Sequence, residues 1–184
     1  YVPVDRLEER VDAAVHALRE PGLVYVYWGE LDKVGHLLGW RSAEWGAQLE
    51  VLDAELSRLA RSLPRGTNLV VTADHGMVDV DLSRRVDLVD LPGLQADVAL
   101  LGGEPRAVHV YLREGVEPET VLEPWSEALE DHAVVATRRE VVESGWFGEV
   151  AEHVLPAVGD LVVVARDRAT LVDSSAATPG LLAM

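Results

Sequence analysis

Two pairs of acidic and imidazole side chains are the residues of this sequence whose types and spacing could bind metal ions. Asp32 and His36 are four residues apart, so that on a helix both side chains lie on one face and can reach one ion. Asp74 and His75 are adjacent, and Gly76 after them permits the sharp bend that turns both side chains toward a common ion. A carboxylate oxygen and a neutral imidazole nitrogen are ligands that suit zinc, manganese or iron.

Each pair also has a simpler interpretation. An Asp and a His at a spacing of four are most often an exposed carboxylate and a hydrogen-bonded imidazole, and the second pair could equally be a turn at the end of a strand, with Asp74 as a helix cap. The two pairs together are more specific, because each follows a predicted strand and the two strands are joined by one helix. Side chains at neighbouring strand ends meet at one edge of a sheet, which predicts a site for two cations about 4 Å apart. Two such cations can hold the attacking and leaving oxygens of a phosphoryl transfer.

The pattern of apolar residues in the first half of the chain predicts the elements that position these pairs. A helix over residues 5–20 begins at Asp5, with Glu8 three positions on as in a capping box. Short runs of β-branched and aromatic residues predict buried strands over residues 23–28 and 68–72.

The stretch between these two strands carries a loop or short helix over residues 29–41 and then a long amphipathic helix. Ser42 can cap this helix, whose apolar residues recur at steps of three and four from Trp45 to Leu63. A strand, a crossover helix and a second strand form a βαβ unit, which predicts a parallel sheet and an α/β fold.

The pattern changes after about residue 90. We predict strands over residues 97–101 and 107–112, a helix over 118–131, a strand over 133–137, a short helix over 138–144 and a final hairpin of strands 161–165 and 169–172. The predicted organisation is a metal-binding α/β part over residues 1–91, a small α+β insertion over 92–157, and a hairpin and tail over 158–184 that return to the main sheet.

The composition excludes several classes of protein. The 184 residues include 32 acidic and 16 basic side chains, and the formal net charge of −16 repels the phosphate backbone of nucleic acids. The absence of cysteine excludes disulfides, thiolate zinc sites and a cysteine nucleophile. No apolar run reaches the roughly 20 residues of a membrane span, and the first residues lack a signal pattern. We therefore expect no membrane association; the compartment stays undecided, with the cytoplasm favoured.

Two segments, YWGELDKVGH at residues 27–36 and VVTADHGM at residues 70–77, resemble the alkaline phosphatase superfamily, most closely its type I phosphodiesterase/nucleotide pyrophosphatase family. The similarity continues through GGEPR at residues 102–106 and VGDLV at residues 158–162. The resemblance implies an α/β fold: a partial alkaline-phosphatase-like sheet with flanking helices plus a small α+β insertion. It also implies cleavage of phosphodiester or nucleotide pyrophosphate bonds in a small phosphorylated substrate such as a nucleotide.

The resemblance further implies two divalent metal ions, zinc or manganese. Asp32 and His36 would bind one ion, and Asp74 and His75 the other. The family completes this site with an Asp and a Thr or Ser nucleophile from an N-terminal half, and with a further His near the C-terminus. These elements are not in this sequence. We therefore expect a fragment of a longer enzyme that has no catalytic nucleophile of its own, holds its ions weakly, is nearly inactive alone, and self-associates through surfaces that truncation exposes.

Several other residues receive a weaker interpretation. Trp40 could line a substrate pocket and stack on a base. His109 could reach the metal site, although a hydrogen-bonded histidine within a strand is the simpler expectation. The acidic run over residues 79–81 is expected to be a solvated face. Two other functions stay open: a phosphomonoesterase, sulfatase or phosphomutase of the same superfamily, and a non-catalytic binding domain that keeps the scaffold.

Overall fold

The computed structural model describes residues 2–176, which form two compact units, one ending at Asp79 and the other beginning at Val80. The helices of the first unit are α1 (Leu7–Ala17), α2 (Glu30–Leu38) and α3 (Ala43–Ser62). The elements of the second are β1 (Arg85–Asp87), α4 (Pro92–Gln95), β2 (Val98–Glu104), β3 (Ala107–Leu112), α5 (Pro118–Ala128), β4 (Ala133–Thr137), α6 (Arg138–Glu143), β5 (Leu161–Ala165) and β6 (Thr170–Val172). The predicted three-part division with boundaries after residues 91 and 157 stays a prediction.

Helices α1 and α3 pack against each other through one apolar stripe on each helix. Leu7 and Val11 of α1 and Leu59 of α3 are buried in this contact. The predicted cap of α1 at Asp5 is wrong, since the helix begins after Arg6, which makes no side-chain cap bond. The physical reason is that the carboxylate of Glu8 pairs with the Arg6 guanidinium and does not reach back to close a capping box.

The predicted cap of α3 is confirmed. The hydroxyl of Ser42 accepts a hydrogen bond from the backbone N–H of Trp45 at 3.2 Å, which satisfies one of the free donors at the helix start. The helix then continues without interruption to Ser62, and Leu59 is its one fully buried side chain among the described residues.

The prediction of buried strands over residues 23–28 and 68–72 is wrong for the described residues. In the first segment, side chains alternate between the α1–α3 core and solvent, and Leu23 and Tyr25 are 97% and 81% exposed. In the second segment, Val70 is 82% exposed. A strand buried on both faces needs a paired neighbour and two covering layers. Within residues 2–176 no strand pairs with either segment, so the expected βαβ sheet does not form there.

The second unit contains a four-stranded antiparallel sheet in the order β2-β3-β5-β4 and a separate parallel pair of β1 and β6. The predicted hairpin of β2 and β3, the strand β4 and the helices α5 and α6 are confirmed. The predicted final hairpin is wrong, because β5 and β6 do not pair with each other. Both edges of β5 are already occupied by β3 and β4, and β6 instead lies beside β1 with Thr170 opposite Arg85.

The core of the second unit lies between α5 and the antiparallel sheet. Trp125 and Leu129 pack here against Val110 and Leu161, and each of the four is at most 1% exposed. A parallel pair, an antiparallel sheet and flanking helices confirm the α/β class predicted from the sequence. None of the helices in residues 2–176 is long and apolar enough to cross a membrane.

Candidate metal centre

Helix α2 brings the first acid–imidazole pair together. The sequence predicts a loop or a loop with a short helix over residues 29–41, and the structure has a helix of nine residues there. Asp32 and His36 are therefore one turn apart on the same face, and the Oδ1 atom of Asp32 lies 3.1 Å from the Nε2 atom of His36. The helix ends at Gly39, whose φ of +82° is a conformation that glycine adopts without strain.

The segment after residue 73 adds His75 to this pair. Its Nε2 atom lies 3.6 Å from the same Oδ1 atom of Asp32, and the rings of His36 and His75 have centroids 5.8 Å apart. One ligand atom from each of the three residues lies within 4.8 Å of the other two. One carboxylate and two imidazoles so arranged could hold a single zinc-like ion, for which three protein ligands are usual in catalytic sites.

The orientation of the His75 ring is fixed by its other nitrogen. Nδ1 lies 2.8 Å from the carbonyl oxygen of Gly76, and a carbonyl can only accept a hydrogen bond, so Nδ1 carries the proton. In the neutral ring Nε2 then has the lone pair, on the side of Asp32. A hydrogen bond from the other ring nitrogen to a backbone carbonyl is a usual way in which proteins orient a metal-binding histidine.

Asp74 lies at the edge of the cluster. Its Oδ1 atom accepts the backbone N–H of His75 at 3.1 Å and is 3.9 Å from the Nε2 atom of that ring. The side chain is 88% exposed. The carboxylates of Asp32 and Asp74 thus both lie within 4 Å of one imidazole nitrogen, but the tight group of three is Asp32, His36 and His75. The assignment of Asp74 and His75 to a second ion stays a prediction.

Two contacts that sequence reasoning missed hold the segment containing His75 against α2. The side chain of Met77 covers Gly35, and the Oδ1 atom of Asp79 accepts the backbone N–H of Trp40 at 3.0 Å. Asp81 likewise accepts the backbone N–H of Ser83, so two carboxylates of the predicted solvated face over residues 79–81, both partly exposed, make backbone contacts that the sequence did not indicate. The one signal in the sequence was the glycine in α2, which leaves room for a close neighbour.

The remaining candidate residues have separate surroundings. Trp40 is 37% exposed, and the guanidinium carbon of Arg41 lies 4.7 Å from its ring centroid, a cation–π contact. Its role in substrate binding stays a prediction. His109 lies in β3, where its Nδ1 atom accepts the backbone N–H of Gly159 at 3.0 Å, which confirms the hydrogen-bonded strand histidine. Burial lowers the pKa of His109 below its ordinary value.

Comparison with known proteins shows the family of the chain. A sequence profile described as type I phosphodiesterase / nucleotide pyrophosphatase matches residues 3–180. The chain therefore belongs to the type I phosphodiesterase / nucleotide pyrophosphatase family, and the resemblance noted from the motifs is confirmed.

Two curated human proteins are similar over part of the chain. Ectonucleotide pyrophosphatase/phosphodiesterase family member 7 is 38% identical over 73 residues, which are 37% of this chain and 16% of that protein. Family member 5 is 30% identical over 99 residues, which are 48% of this chain and 21% of that protein. The matched regions therefore span at most about a fifth of the length of these relatives.

Solved structures show the same fold over most of the chain. Murine ectonucleotide pyrophosphatase / phosphodiesterase 5 superimposes with a TM-score of 0.69 at 23% identity, covering 94% of this chain and 47% of that one. An inactive form of the murine protein, solved in complex with AMP, has the same TM-score. Phosphonoacetate hydrolase from Sinorhizobium meliloti 1021, in complex with phosphonoacetate, has a TM-score of 0.65 at 24% identity, covering 91% and 42%. The chain spans somewhat less than half the length of these solved relatives.

Proposed function

We propose that this chain carries metal-binding residues of a hydrolase that cleaves phosphodiester or nucleotide pyrophosphate bonds. The observation that carries the proposal is the convergence of Asp32, His36 and His75, whose ligand atoms lie within 4.8 Å of one another. Membership in the type I phosphodiesterase / nucleotide pyrophosphatase family supports the reaction class. The AMP complex of the murine relative supports a nucleotide as the substrate.

The donor set fits a divalent cation. Two imidazole nitrogens and a carboxylate oxygen are ligands that zinc and manganese accept, and the Nδ1–H bond of His75 to Gly76 leaves Nε2 available for coordination. A bound divalent cation supplies polarisation of a phosphoryl oxygen and lowers the pKa of a hydroxyl group or water that it binds.

The residues of this chain have holding and orienting roles in this proposal. Asp32 and His36 are rigidly spaced by a helical turn, and His75 reaches their carboxylate side from the neighbouring segment. Asp74, which is exposed and lies 3.9 Å from the Nε2 atom of His75, is our candidate ligand for a second ion. None of these four side chains is assigned a proton transfer.

The proposal is tested first by metal binding to the chain itself. Titration calorimetry with Zn²⁺ and with Mn²⁺ compares the wild type with Asp32→Ala, His36→Ala and His75→Ala. Loss of a residue that only hydrogen-bonds to a metal ligand weakens metal affinity about 10- to 100-fold. Loss of a ligand itself is therefore expected to weaken metal affinity by about 100-fold or more. His153→Ala, at an exposed histidine outside the cluster, is the matched control and should bind as the wild type does.

The reaction class is tested on the protein that carries this chain. A panel of a phosphodiester, a nucleotide pyrophosphate, a phosphomonoester and a sulfate ester should show preference for the first two. Preference for the monoester or sulfate would favour the other branches of the superfamily. Full diesterase activity in a variant that combines Asp32→Ala with His75→Ala would overturn the assignment of the site.

A further inference from the structure

The segment that carries His75 is attached to α2 by a small number of contacts. Among residues 68–78, Met77 is the one that is not exposed. Its side chain lies against Gly35, which is the one buried residue of α2. A Cβ atom at Gly35 would lie within 2.6 Å of the Met77 Cε atom and closer still to its sulfur, and 3.2 Å from the Cδ1 atom of Trp45. Real Cβ atoms do not approach their neighbours so closely, so a larger residue at position 35 would require the end of the Met77 side chain to shift from its present place.

A second contact lies two residues further along the segment. Asp79 accepts the N–H of Trp40 at 3.0 Å, and its Oδ1 atom would lie 2.7 Å from a Cβ atom placed on Gly39. The carboxylate therefore binds the C-terminal end of α2 just where Gly39, with its φ of +82°, ends the helix. This contact also depends on a glycine.

The contacts form a repeating pattern. His75, Met77 and Asp79 are alternate residues, and in an extended chain alternate side chains point to the same side. They meet α2 in order: His75 at Asp32, Met77 at Gly35, and Asp79 at the Gly39–Trp40 peptide. Two extended residues advance by about 6.6 Å, and four helical residues by about 6 Å. A segment in extended conformation would therefore keep step with the helix from Gly35 to Gly39.

We propose that Met77 and Asp79 are positioning residues, which fix this segment in register along α2 and thereby set the approach of His75 to Asp32. The inference rests on the proposed function, since it concerns the geometry of the same metal site. The neighbours of His75 are exposed from residue 68 to residue 76, so they supply little other packing to hold the imidazole in place. A glycine in a helix interior is itself unfavourable relative to alanine, and its presence at residue 35 is explained by this close contact.

The experiment compares one chemical change at two helical glycines. Gly35→Ala places a methyl group against Met77, whereas Gly46→Ala in α3 meets no atom within 4 Å. Both substitutions should favour the helix. Zinc and manganese affinities, measured by calorimetry, should fall about 10- to 100-fold for Gly35→Ala, which is the loss expected when a residue that orients a metal ligand is removed. Both affinities should stay unchanged for Gly46→Ala.

Met77→Ala tests whether the two sites act together. It should weaken metal binding by itself, and Gly35→Ala should then add little further loss, since the methyl group no longer meets Met77 and keeps only the 3.2 Å contact with the Cδ1 atom of Trp45. That non-additivity is the signature of a direct contact. Equal and additive losses in the double variant would contradict the proposed contact.

Asp79 gives a test that does not alter the packing of α2. Asp79→Asn keeps an oxygen that can accept the Trp40 N–H, whereas Asp79→Ala removes it. Metal affinity should be retained in the first and lost about tenfold or more in the second. Thermal unfolding of each metal-free variant, followed by circular dichroism, shows whether the fold is kept.

The outcomes separate this inference from the function on which it rests. If the wild-type chain binds neither Zn²⁺ nor Mn²⁺, the proposed function fails. If the wild type binds metal and the folded variants Gly35→Ala, Met77→Ala and Asp79→Ala bind it equally well, the metal site stands and the positioning role is overturned.

Discussion

The Nδ1 atom of His75 donates a hydrogen bond to the carbonyl oxygen of Gly76 at 2.8 Å, and the opposite nitrogen of the same ring lies 3.6 Å from the carboxylate of Asp32. One imidazole thus links the backbone of its own segment to a side chain of α2. The two nitrogens have different roles, because one carries the proton and the other the lone pair.

This division of roles predicts different results for two amide substitutions. At residue 75, the side-chain amide of Gln reaches as far as the Nε2 atom of the histidine ring. The shorter side chain of Asn reaches only as far as the Nδ1 atom. His75→Gln should therefore keep part of the zinc affinity, and His75→Asn should lose at least about tenfold more. Calorimetry on both variants checks this, and equal affinities would contradict the assignment of Nε2 as the ligand.

His109 predicts a pH dependence of stability in the second unit. Burial lowers the pKa of its imidazole, and Nδ1 accepts the Gly159 N–H, which a protonated ring cannot do. Because the folded-state pKa lies below the unfolded value of about 6.5, the stabilisation is complete above that value and is lost as the pH falls through the folded pKa. Urea unfolding between pH 7.5 and pH 5 should show this loss in the wild type.

Substitutions at His109 and at the exposed His153 separate this effect from the general loss of stability in acid. His109→Gln should reduce the slope of stability against pH in that range, whereas His153→Gln at an exposed position should leave it as in the wild type. Parallel slopes in all three proteins would exclude His109 as the source.

Gly159 is required by the backbone that surrounds it. A Cβ atom there would lie 2.7 Å from the N atom of Val110 and the O atom of Leu161, and 2.9 Å from the Cα atom of His109. These atoms belong to paired strands and cannot move aside, so Gly159→Ala should lower the free energy of unfolding by about 3 kcal/mol. Gly93→Ala, where a Cβ atom meets nothing within 4 Å, is the control and should be neutral or stabilising in chemical denaturation.

The start of α6 is stabilised by a complete capping box. The Thr137 hydroxyl accepts the N–H of Glu140 at 3.2 Å, and the Glu140 carboxylate accepts the N–H of Thr137 at 2.8 Å. Thr137→Ala should lower the free energy of unfolding by about 1 kcal/mol, and Thr137→Ser should keep most of it. Thermal unfolding of the two variants measures the difference, and similar losses in both would assign the effect to packing of the threonine methyl group.

The parts of the fold that the sequence predicted well depend on local patterns. Ser42 caps α3 because its hydroxyl reaches a donor three residues away, and β4 was predicted over residues 133–137 with the observed bounds. The pairing of β6 with β1 could not be predicted, since it depends on which strand edges remain available after β3 and β4 occupy β5. The same applies to residues 23–28, whose burial depends on a strand neighbour that residues 2–176 do not supply.

The candidate site likewise contains one part that the sequence predicts and another that depends on tertiary packing. The approach of Asp32 to His36 follows from a spacing of four on a helix and was predictable. The sequence also predicted that His75 would meet that pair, but at the edge of a βαβ sheet that residues 2–176 do not form; in the structure its segment packs on α2 through Met77 and Gly35, a tertiary contact that spacing does not encode. The hydrogen bond from the Trp40 N–H to Asp79 could not be predicted for the same reason, since the sequence of an acidic run does not show which backbone donor a carboxylate accepts from.

The alternation of residues 75, 77 and 79 against α2 makes the length of this segment more important than its composition. Removing or inserting one residue between His75 and Met77 would turn the imidazole to the opposite side of the chain, away from Asp32. A change of two residues would preserve the side but displace the ring by about 6.6 Å, more than a full turn of α2. Substitutions at Gly76 and Val78, which are exposed, should be tolerated far better than any change in residue number.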